Sequence, residues 1–187
     1  TSNTCMSVDF ADINRDGHTD FFTADMMSPT LAQRQRQFPT HTPLPKQGGL
    51  AAYRQQWMRN MLQLARGDGT WASIGDFAGV SASDWTWGSA FLDVDLDGYE
   101  DLIAFNGHRW DVRDADVAER IRNSFPRVAW NREQREFPES RTRSMVFRNK
   151  GDLTFADLSR EWGIGSEPAI TQGIVRAGSE PQSGKCG

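Results

Sequence analysis

Short apolar runs bounded by turn-forming residues alternate with acidic and glycine-containing segments along much of this chain. Four runs have the lengths and compositions of β-strands: Met6–Phe10, Met61–Leu64, Thr86–Leu92 and Leu102–Phe105. Gly67-Asp68-Gly69 follows the second run and precedes Trp71–Ile74, an arrangement typical of a β-hairpin. The pattern therefore predicts an all-β chain of short antiparallel strands.

Two of the acidic segments share one sequence form, D-x-[DN]-x-D-G-x-x-D, at 12–20 (loop one) and 93–101 (loop two). Alternating carboxylates followed by a glycine let a short loop surround a hard cation with oxygen, and calcium takes ~6–8 such ligands. In loop one the predicted ligands are the side chains of Asp12, Asn14, Asp16 and Asp20 and the carbonyl of His18. In loop two they are the side chains of Asp93, Asp95, Asp97 and Asp101 and the carbonyl of Tyr99.

An EF-hand is the main alternative for such loops, and the sequence argues against it. An EF-hand loop ends in a glutamate at its twelfth position and lies between helices. Here the twelfth positions are Thr23 and Ala104, and the flanking residues are strand-like. Solvated Asp-rich turns are the other alternative, and two copies in register make it the weaker one. Because loop one has Asn14 where loop two has Asp95, ligand charge predicts weaker calcium binding by loop one.

A second pair of segments repeats with nearly the spacing of the loops. Asp93 follows Asp12 by 81 residues, and Phe155 follows Trp71 by 84. In the predicted unit a strand ends in Arg-Asn, at 59–60 and again at 148–149, before a Gly-Asp hairpin. A second strand, the acidic loop and its two flanking strands follow. Four short antiparallel strands per unit are typical of a β-propeller blade.

The unit is longer than a bare blade of roughly 40–50 residues, so each copy is expected to carry an insertion. The predicted division is the end of a first blade with a calcium loop at 1–27, an insertion at 28–57, a blade with the second calcium loop at 58–106, a helical or irregular insertion at 107–143, the start of a further blade at 144–173 and a disordered tail at 174–187. Within the second insertion, Asp114–Ser124 has the apolar spacing of a helix.

Composition narrows the class of partner. The net charge of −4 argues against nucleic acid, and no apolar run reaches the ~18 residues that a membrane span needs. The arginines at 132, 135, 141 and 143 are interpreted as part of a solvated, mixed-charge surface. Cys5 and Cys186 form neither a disulfide framework nor a zinc site, and we favour unpaired thiols over a disulfide between them. The chain opens almost directly on a strand and is expected to be a fragment of a longer protein.

Candidate catalytic chemistry is sparse. His108 precedes Asp111, Asp114 and Asp116, but a solvated loop at a strand end explains this grouping better than an acid–base site. The sequence contains no H-E-x-x-H or G-x-S-x-G segment. Trp85 and Trp87 share one side of a strand, where packing between blades is favoured over an aromatic platform for a sugar or peptide.

Several segments resemble the FG-GAP/VCBS repeats of the cartilage acidic protein-like group, whose members often end in an ASPIC/UnbV domain. The similarity covers roughly 6–173 and is most specific in the two acidic loops and in the segment Asp84-Trp85-Thr86-Trp87-Gly88. It implies a seven-bladed, integrin-like β-propeller, calcium in each acidic loop, and a secreted, periplasmic or cell-surface location. It also implies calcium ligands at Asp12, Asn14, Asp16 and Asp20 and at Asp93, Asp95, Asp97 and Asp101.

The chain departs from that group after Gly173, where a third acidic loop and the ASPIC/UnbV domain are missing. About two blades do not close a ring, so self-association through open blade edges is expected. The predicted function is a non-catalytic, calcium-binding propeller module for extracellular binding or adhesion to a protein or glycan. The alternative is part of a calcium-dependent polysaccharide lyase or hydrolase, which would need titratable groups that converge near the ring's mouth.

Overall fold

The computed structural model describes residues 2, 4–37, 56–123 and 134–171. Within these ranges the chain is mostly β-structure, in two antiparallel sheets of four strands. The first sheet contains β1 (Ser7–Ala11), β2 (Asp20–Ala24), β3 (Met61–Ala65) and β4 (Trp71–Ser73). The second contains β5 (Thr86–Leu92), β6 (Asp101–Asn106), β7 (Met145–Asn149) and β8 (Phe155–Asp157). The prediction of an all-β fold is confirmed.

The strands of each sheet lie side by side in chain order, and the connections repeat. Loop one joins β1 to β2 and loop two joins β5 to β6, so strands flank both acidic loops. Long connections lead from β2 to β3 and from β6 to β7, and glycine-containing hairpins end each sheet. The described helices are α1 (Leu31–Arg36), α2 (Gly75–Ala78) and α3 (Ala115–Asn123), with a 3₁₀ turn at Gln134–Glu136. The helix expected at Asp114–Ser124 corresponds to α3.

The sheets divide the chain differently from the expected blade at 58–106. The strand after each acidic loop pairs across the insertion with the next strand, as Phe22 does with Leu62 and Ile103 with Val146. Between β4 and β5, in contrast, the chain passes through α2 and changes sheet. The repeating unit therefore begins one hairpin earlier than expected, at the strand before the acidic loop. The expected tail at 174–187 lies outside the described residues.

The two Arg-Asn pairs are also not equivalent. Asn149 is the last residue of β7, whereas Asn60 precedes β3. The Asn60 side chain is buried, accepts a hydrogen bond from the Asp25 backbone N–H (2.8 Å) and donates to the Val80 carbonyl (3.0 Å). The residue of the first sheet that is equivalent to Asn149 is Ala65. Ala65 pairs with Trp71 across its hairpin, as Asn149 pairs with Phe155.

Strand β1 of the first sheet lies beside β5 of the second. The Ser7 hydroxyl accepts a hydrogen bond from the Ser89 backbone N–H at 3.0 Å, and the Asp9 carboxylate accepts one from the Phe91 N–H at 2.7 Å. Phe22 and Phe91 meet edge to face between the sheets, with ring centroids 6.4 Å apart. They belong to one apolar core with Ile13, Leu62, Val80, Leu102, Phe147 and Phe155.

One face of the first sheet is more exposed than the equivalent face of the second sheet. Phe10 and Phe91 hold equivalent positions, two residues before Asp12 and Asp93, yet Phe10 is 60% exposed and Phe91 only 1%. Phe21 and Trp71 continue the aromatic stripe beside Phe10, with centroid separations of 6.0 and 5.9 Å. The surface that the second sheet buries is thus left open on the first, and we name Phe10, Phe21 and Trp71 the open aromatic face.

A buried ion pair connects the beginnings of the two insertions. The Arg113 guanidinium donates to the Asp84 carboxylate at 2.7 Å and to the Met26 carbonyl. Ser28 also donates to Asp84, at 3.1 Å. Asp84 has a φ of 71°, which is unusual for a residue other than glycine. Because the side chains of Asp84 and Arg113 are only 9% and 7% exposed, each charge depends on the other.

Candidate metal centre

The backbone of the two acidic loops follows one conformation. Arg15 and Leu96, at the fourth position of each loop, both have a φ of 60°, and the glycines two residues later have φ values of 83° and 94°. Glycine suits these last positions because it has no Cβ to strain the left-handed conformation. The result is a tight turn that directs the alternating side chains of each loop inward, between two strands and not between helices.

Loop two brings three carboxylates together. Asp93, Asp95 and Asp101 each offer an oxygen, and these oxygens lie within 4.8 Å of one another. One oxygen of Asp93 accepts a hydrogen bond from the Gly98 N–H at 2.9 Å. Its other oxygen, Oδ1, is buried and has no hydrogen-bond partner among the residues that the structure describes. A buried carboxylate oxygen without a donor is unfavourable unless a cation approaches it, so this group of aspartates can hold a metal ion.

Asp97, another predicted ligand of loop two, lies outside this group of three. Asp97 Oδ1 accepts the Tyr99 backbone N–H at 2.9 Å, which fixes the turn. Asp97 Oδ2 accepts a hydrogen bond from Arg148 at 2.6 Å. Asp97 therefore shapes the loop and shares its second oxygen with a cationic side chain.

Loop one uses its polar atoms mainly on itself. Asp12 accepts hydrogen bonds from the N–H groups of Asp16 (3.0 Å) and Gly17 (2.8 Å). Asp16 accepts from the Asn14 amide at 2.9 Å and from the His18 N–H at 2.8 Å. The Asn14 amide, with the His18 N–H, lowers the pKa of Asp16. Among the described residues, the compact group of three acidic ligands is found in loop two and not in loop one.

The last aspartate of each loop has the same structural role. Asp20 accepts from the backbone N–H groups of Ile13 (3.0 Å) and Ala65 (2.8 Å). Asp101 accepts from Val94 (3.0 Å) and Asn149 (2.9 Å). Each carboxylate therefore ties its loop to the end of the third strand of its sheet. Both residues are fully buried, and desolvation raises the pKa of each above the ordinary aspartate value.

Sequence reasoning missed Arg148, which lies over loop two. Its guanidinium donates to Asp95 at 2.5 Å and to Asp97 at 2.6 Å, and the bond from Arg148 is the main reason that the pKa of Asp95 is lowered. The equivalent residue in the first sheet is Leu64, which cannot form such a pair with loop one. Arg148 lies 53 residues from Asp95 in the chain. No local pattern could have paired them, because the contact depends on β7 lying beside β6.

The two loops touch through Arg15. This loop-one guanidinium lies over the Tyr99 ring of loop two, 5.0 Å from its centroid. A side chain at Gly98 would collide with the Arg15 guanidinium, so the glycine also makes room for the contact. The two candidate cation sites are therefore neighbours at one end of adjacent sheets.

The structure does not assemble the acid–base group considered around His108. Asp111 pairs with Arg113 at 3.4 Å, and Asp114 accepts the Val117 N–H at 3.0 Å at the start of α3. His108 stacks on Trp85 with a centroid separation of 4.3 Å and an interplanar angle of 7°, and Trp87 continues the stack. Trp85 is only 7% exposed. Packing therefore accounts for most of this aromatic group.

In the described ranges, no helix has the length and apolar character needed to cross a membrane. Comparisons of the chain with protein-family models, curated proteins and solved structures gave no match.

Proposed function

We propose that this chain is a calcium-binding repeat module of the β-propeller type that acts in extracellular binding or adhesion to a protein or glycan. The observation that carries the proposal is the buried, unpartnered Oδ1 of Asp93 beside the carboxylates of Asp95 and Asp101. Oxygen ligands on a flexible loop suit calcium better than a transition metal. The shared backbone conformation of loop one supports a second, similar site.

The arrangement of the sheets supports the propeller part of the proposal. Each sheet is a four-stranded antiparallel meander, and the first strand of one lies beside the first strand of the next. Blades around a central channel are related in this way. The acidic loops then mark the same corner of successive blades and stabilise each blade when a cation is bound. The proposed location is secreted, periplasmic or cell-surface, where calcium is concentrated enough to occupy sites of modest affinity.

Titration calorimetry with calcium tests the proposal directly. We expect the unchanged protein to bind two calcium ions. Asp93→Asn should abolish binding at loop two, and Asp12→Asn binding at loop one, because each removes a charged ligand while keeping the size of the side chain. Asp116→Asn, on the exposed side of α3, is the matched control and should bind two ions. An unchanged protein that shows neither heat of binding nor thermal stabilisation with millimolar calcium would refute the proposal.

A further inference from the structure

A cavity of about 530 Å³ lies at the end of the second sheet where β7 begins, away from loop two. Three arginines line it, Arg141, Arg143 and Arg160, and in the part of the chain that the structure describes none of them forms an ion pair. Arg141 and Arg143 belong to the arginine group that the sequence suggested was only solvated surface. The fold adds Arg160 from the segment after β8 and turns this group into one wall of a cavity.

The acidic groups of the cavity do not neutralise these arginines. Asp84 also lines it, but Arg113 already balances its charge at 2.7 Å. Asp157 is the remaining carboxylate, and it accepts hydrogen bonds from the backbone and hydroxyl of Ser159 (3.0 and 2.5 Å). Three arginines thus line the cavity with one uncompensated carboxylate, so the cavity has an excess of positive charge.

A buried hydroxyl without a partner belongs to a residue of the same wall. Thr142 lies between two of the arginines, is 5% exposed and contributes to the cavity wall, yet its Oγ1 has no hydrogen-bond partner among the described residues. A buried polar atom of this kind is normally satisfied by water or by a bound molecule.

The wall beside these groups is closely packed. Gly165 has a φ of 67°, and a Cβ at this position would lie 2.2 Å from the Ser144 carbonyl oxygen. The segment that carries Arg160 and Gly165 is therefore held directly against the start of β7. The cavity is a built feature of the fold and does not depend on the acidic loops.

We propose that this cavity binds an acidic saccharide, through a carboxylate of a uronic acid residue. Guanidinium groups bind carboxylates through paired, charge-assisted hydrogen bonds. Met145 and Ile164 supply apolar surface for the C–H face of a ring. The volume is in the range of small-ligand sites. The proposal deepens the binding role proposed above by naming the ligand class, although the cavity itself needs no metal.

Calorimetric titration with tetragalacturonate tests this assignment, with maltotetraose as the neutral comparison and tetraglutamate as the acidic non-sugar. Of these three ligands, we expect only tetragalacturonate to bind. Arg143→Gln and Arg160→Gln should each weaken it by about tenfold, which corresponds to the loss of one strong charged contact. Arg66→Gln is the control. It removes an exposed charge in the hairpin after β3, which does not line the cavity, and should change the affinity less than twofold.

Melting temperatures separate binding from folding. Arg143 and Arg160 are exposed, so Arg143→Gln and Arg160→Gln should leave the melting temperature unchanged while weakening the binding of tetragalacturonate. Equal binding of maltotetraose or tetraglutamate, or equal loss of affinity in Arg66→Gln, would overturn the proposal. Each titration is made with calcium and with a chelator. Saccharide binding without a calcium response would refute the metal proposal alone, whereas calcium binding without saccharide binding would refute only the cavity proposal.

Discussion

The Arg148 guanidinium is bonded to the carboxylate of Asp95, a predicted calcium ligand 53 residues earlier in the chain. Arg148 also donates a hydrogen bond to Asp97. One positive charge of the protein therefore lies beside the proposed cation site of loop two. Ligand charge alone predicts that loop one, with Asn14, binds calcium more weakly than loop two. Arg148 opposes that order, because it offsets one of the four aspartates of loop two and has only Leu64 as its counterpart at loop one.

We therefore expect Arg148→Gln to strengthen calcium binding at loop two by about fivefold, as expected for removal of a nearby exposed like charge. The measurement is calcium titration in an Asp12→Asn background, in which only loop two binds. Lys150→Gln removes an exposed charge two residues away and serves as the control. Unchanged or weaker binding by Arg148→Gln would show that the guanidinium does not compete with the cation.

The buried aspartates give an unusual dependence of stability on pH. Burial raises the pKa of Asp20 and Asp101, so both bind protons more tightly in the folded chain than in the unfolded chain. The metal-free protein should therefore lose stability as the pH rises from the ordinary aspartate pKa of 3.8 through the raised values. The lowered pKa values of Asp16 and Asp95 act in the opposite direction, but only below pH 3.8.

Calcium should reverse this dependence, because it binds the ionised carboxylates. We expect the calcium-induced rise in melting temperature to be larger at pH 7 than at pH 3.8, the ordinary aspartate pKa, and the metal-free melting temperature to be lower at pH 7. Melting followed by circular dichroism at both pH values checks this. A calcium effect that is the same at both would mean that Asp20 and Asp101 take no part in binding.

The buried pair of Asp84 and Arg113 should dominate the stability of the junction between the insertions. Arg113→Met leaves the Asp84 carboxylate buried without its partner and should lower the free energy of unfolding by about 3–5 kcal/mol. Asp84→Asn/Arg113→Met should cost less than Arg113→Met alone, because asparagine carries no charge and tolerates a positive φ. Urea unfolding of the two variants checks the order, and a double variant less stable than Arg113→Met would contradict it.

The open aromatic face should mediate self-association. Phe10 is exposed at the position where Phe91 is buried against the neighbouring sheet, so a second copy of the chain has a complementary surface to offer. We expect Phe10→Ser to shift the protein toward monomer in sedimentation velocity. Leu31→Ser, which removes an apolar side chain that is 68% exposed on α1, should leave the distribution unchanged. An unchanged protein that is monomeric at high concentration would exclude this role for the face.

The sequence predicted local features well, because they depend on neighbouring residues. The strands around both acidic loops and the hairpin after Leu64 follow from alternation and turn residues. The period of the repeat was visible too, but its starting point was not. After β4 the chain could have paired β5 beside it or started a new sheet. The helix α2 and the packing of Val80 and Phe91 in the core decide for the new sheet.

The same limit applies to the candidate site. The spacing of the aspartates located both loops, but it gave all of them one role. The structure separates Asp93, which keeps a free oxygen, from Asp101, whose two oxygens also hold backbone N–H groups. Arg148 and the arginines of the cavity could not be placed, because their contacts join residues that are distant in sequence.

The contact between Arg15 and Tyr99 joins the two acidic loops physically, so we expect cation binding at one loop to influence the other. Arg15 lies between two predicted ligands of loop one, and Tyr99 carries a predicted carbonyl ligand of loop two. An ion that reorganises one loop must move or fix this shared pair, so occupancy of either loop alters the affinity of the other by the same factor. If both loops bind calcium as proposed, saturation of the pair is cooperative, and the range of calcium concentration over which it occurs is narrower or broader according to the sign of that coupling.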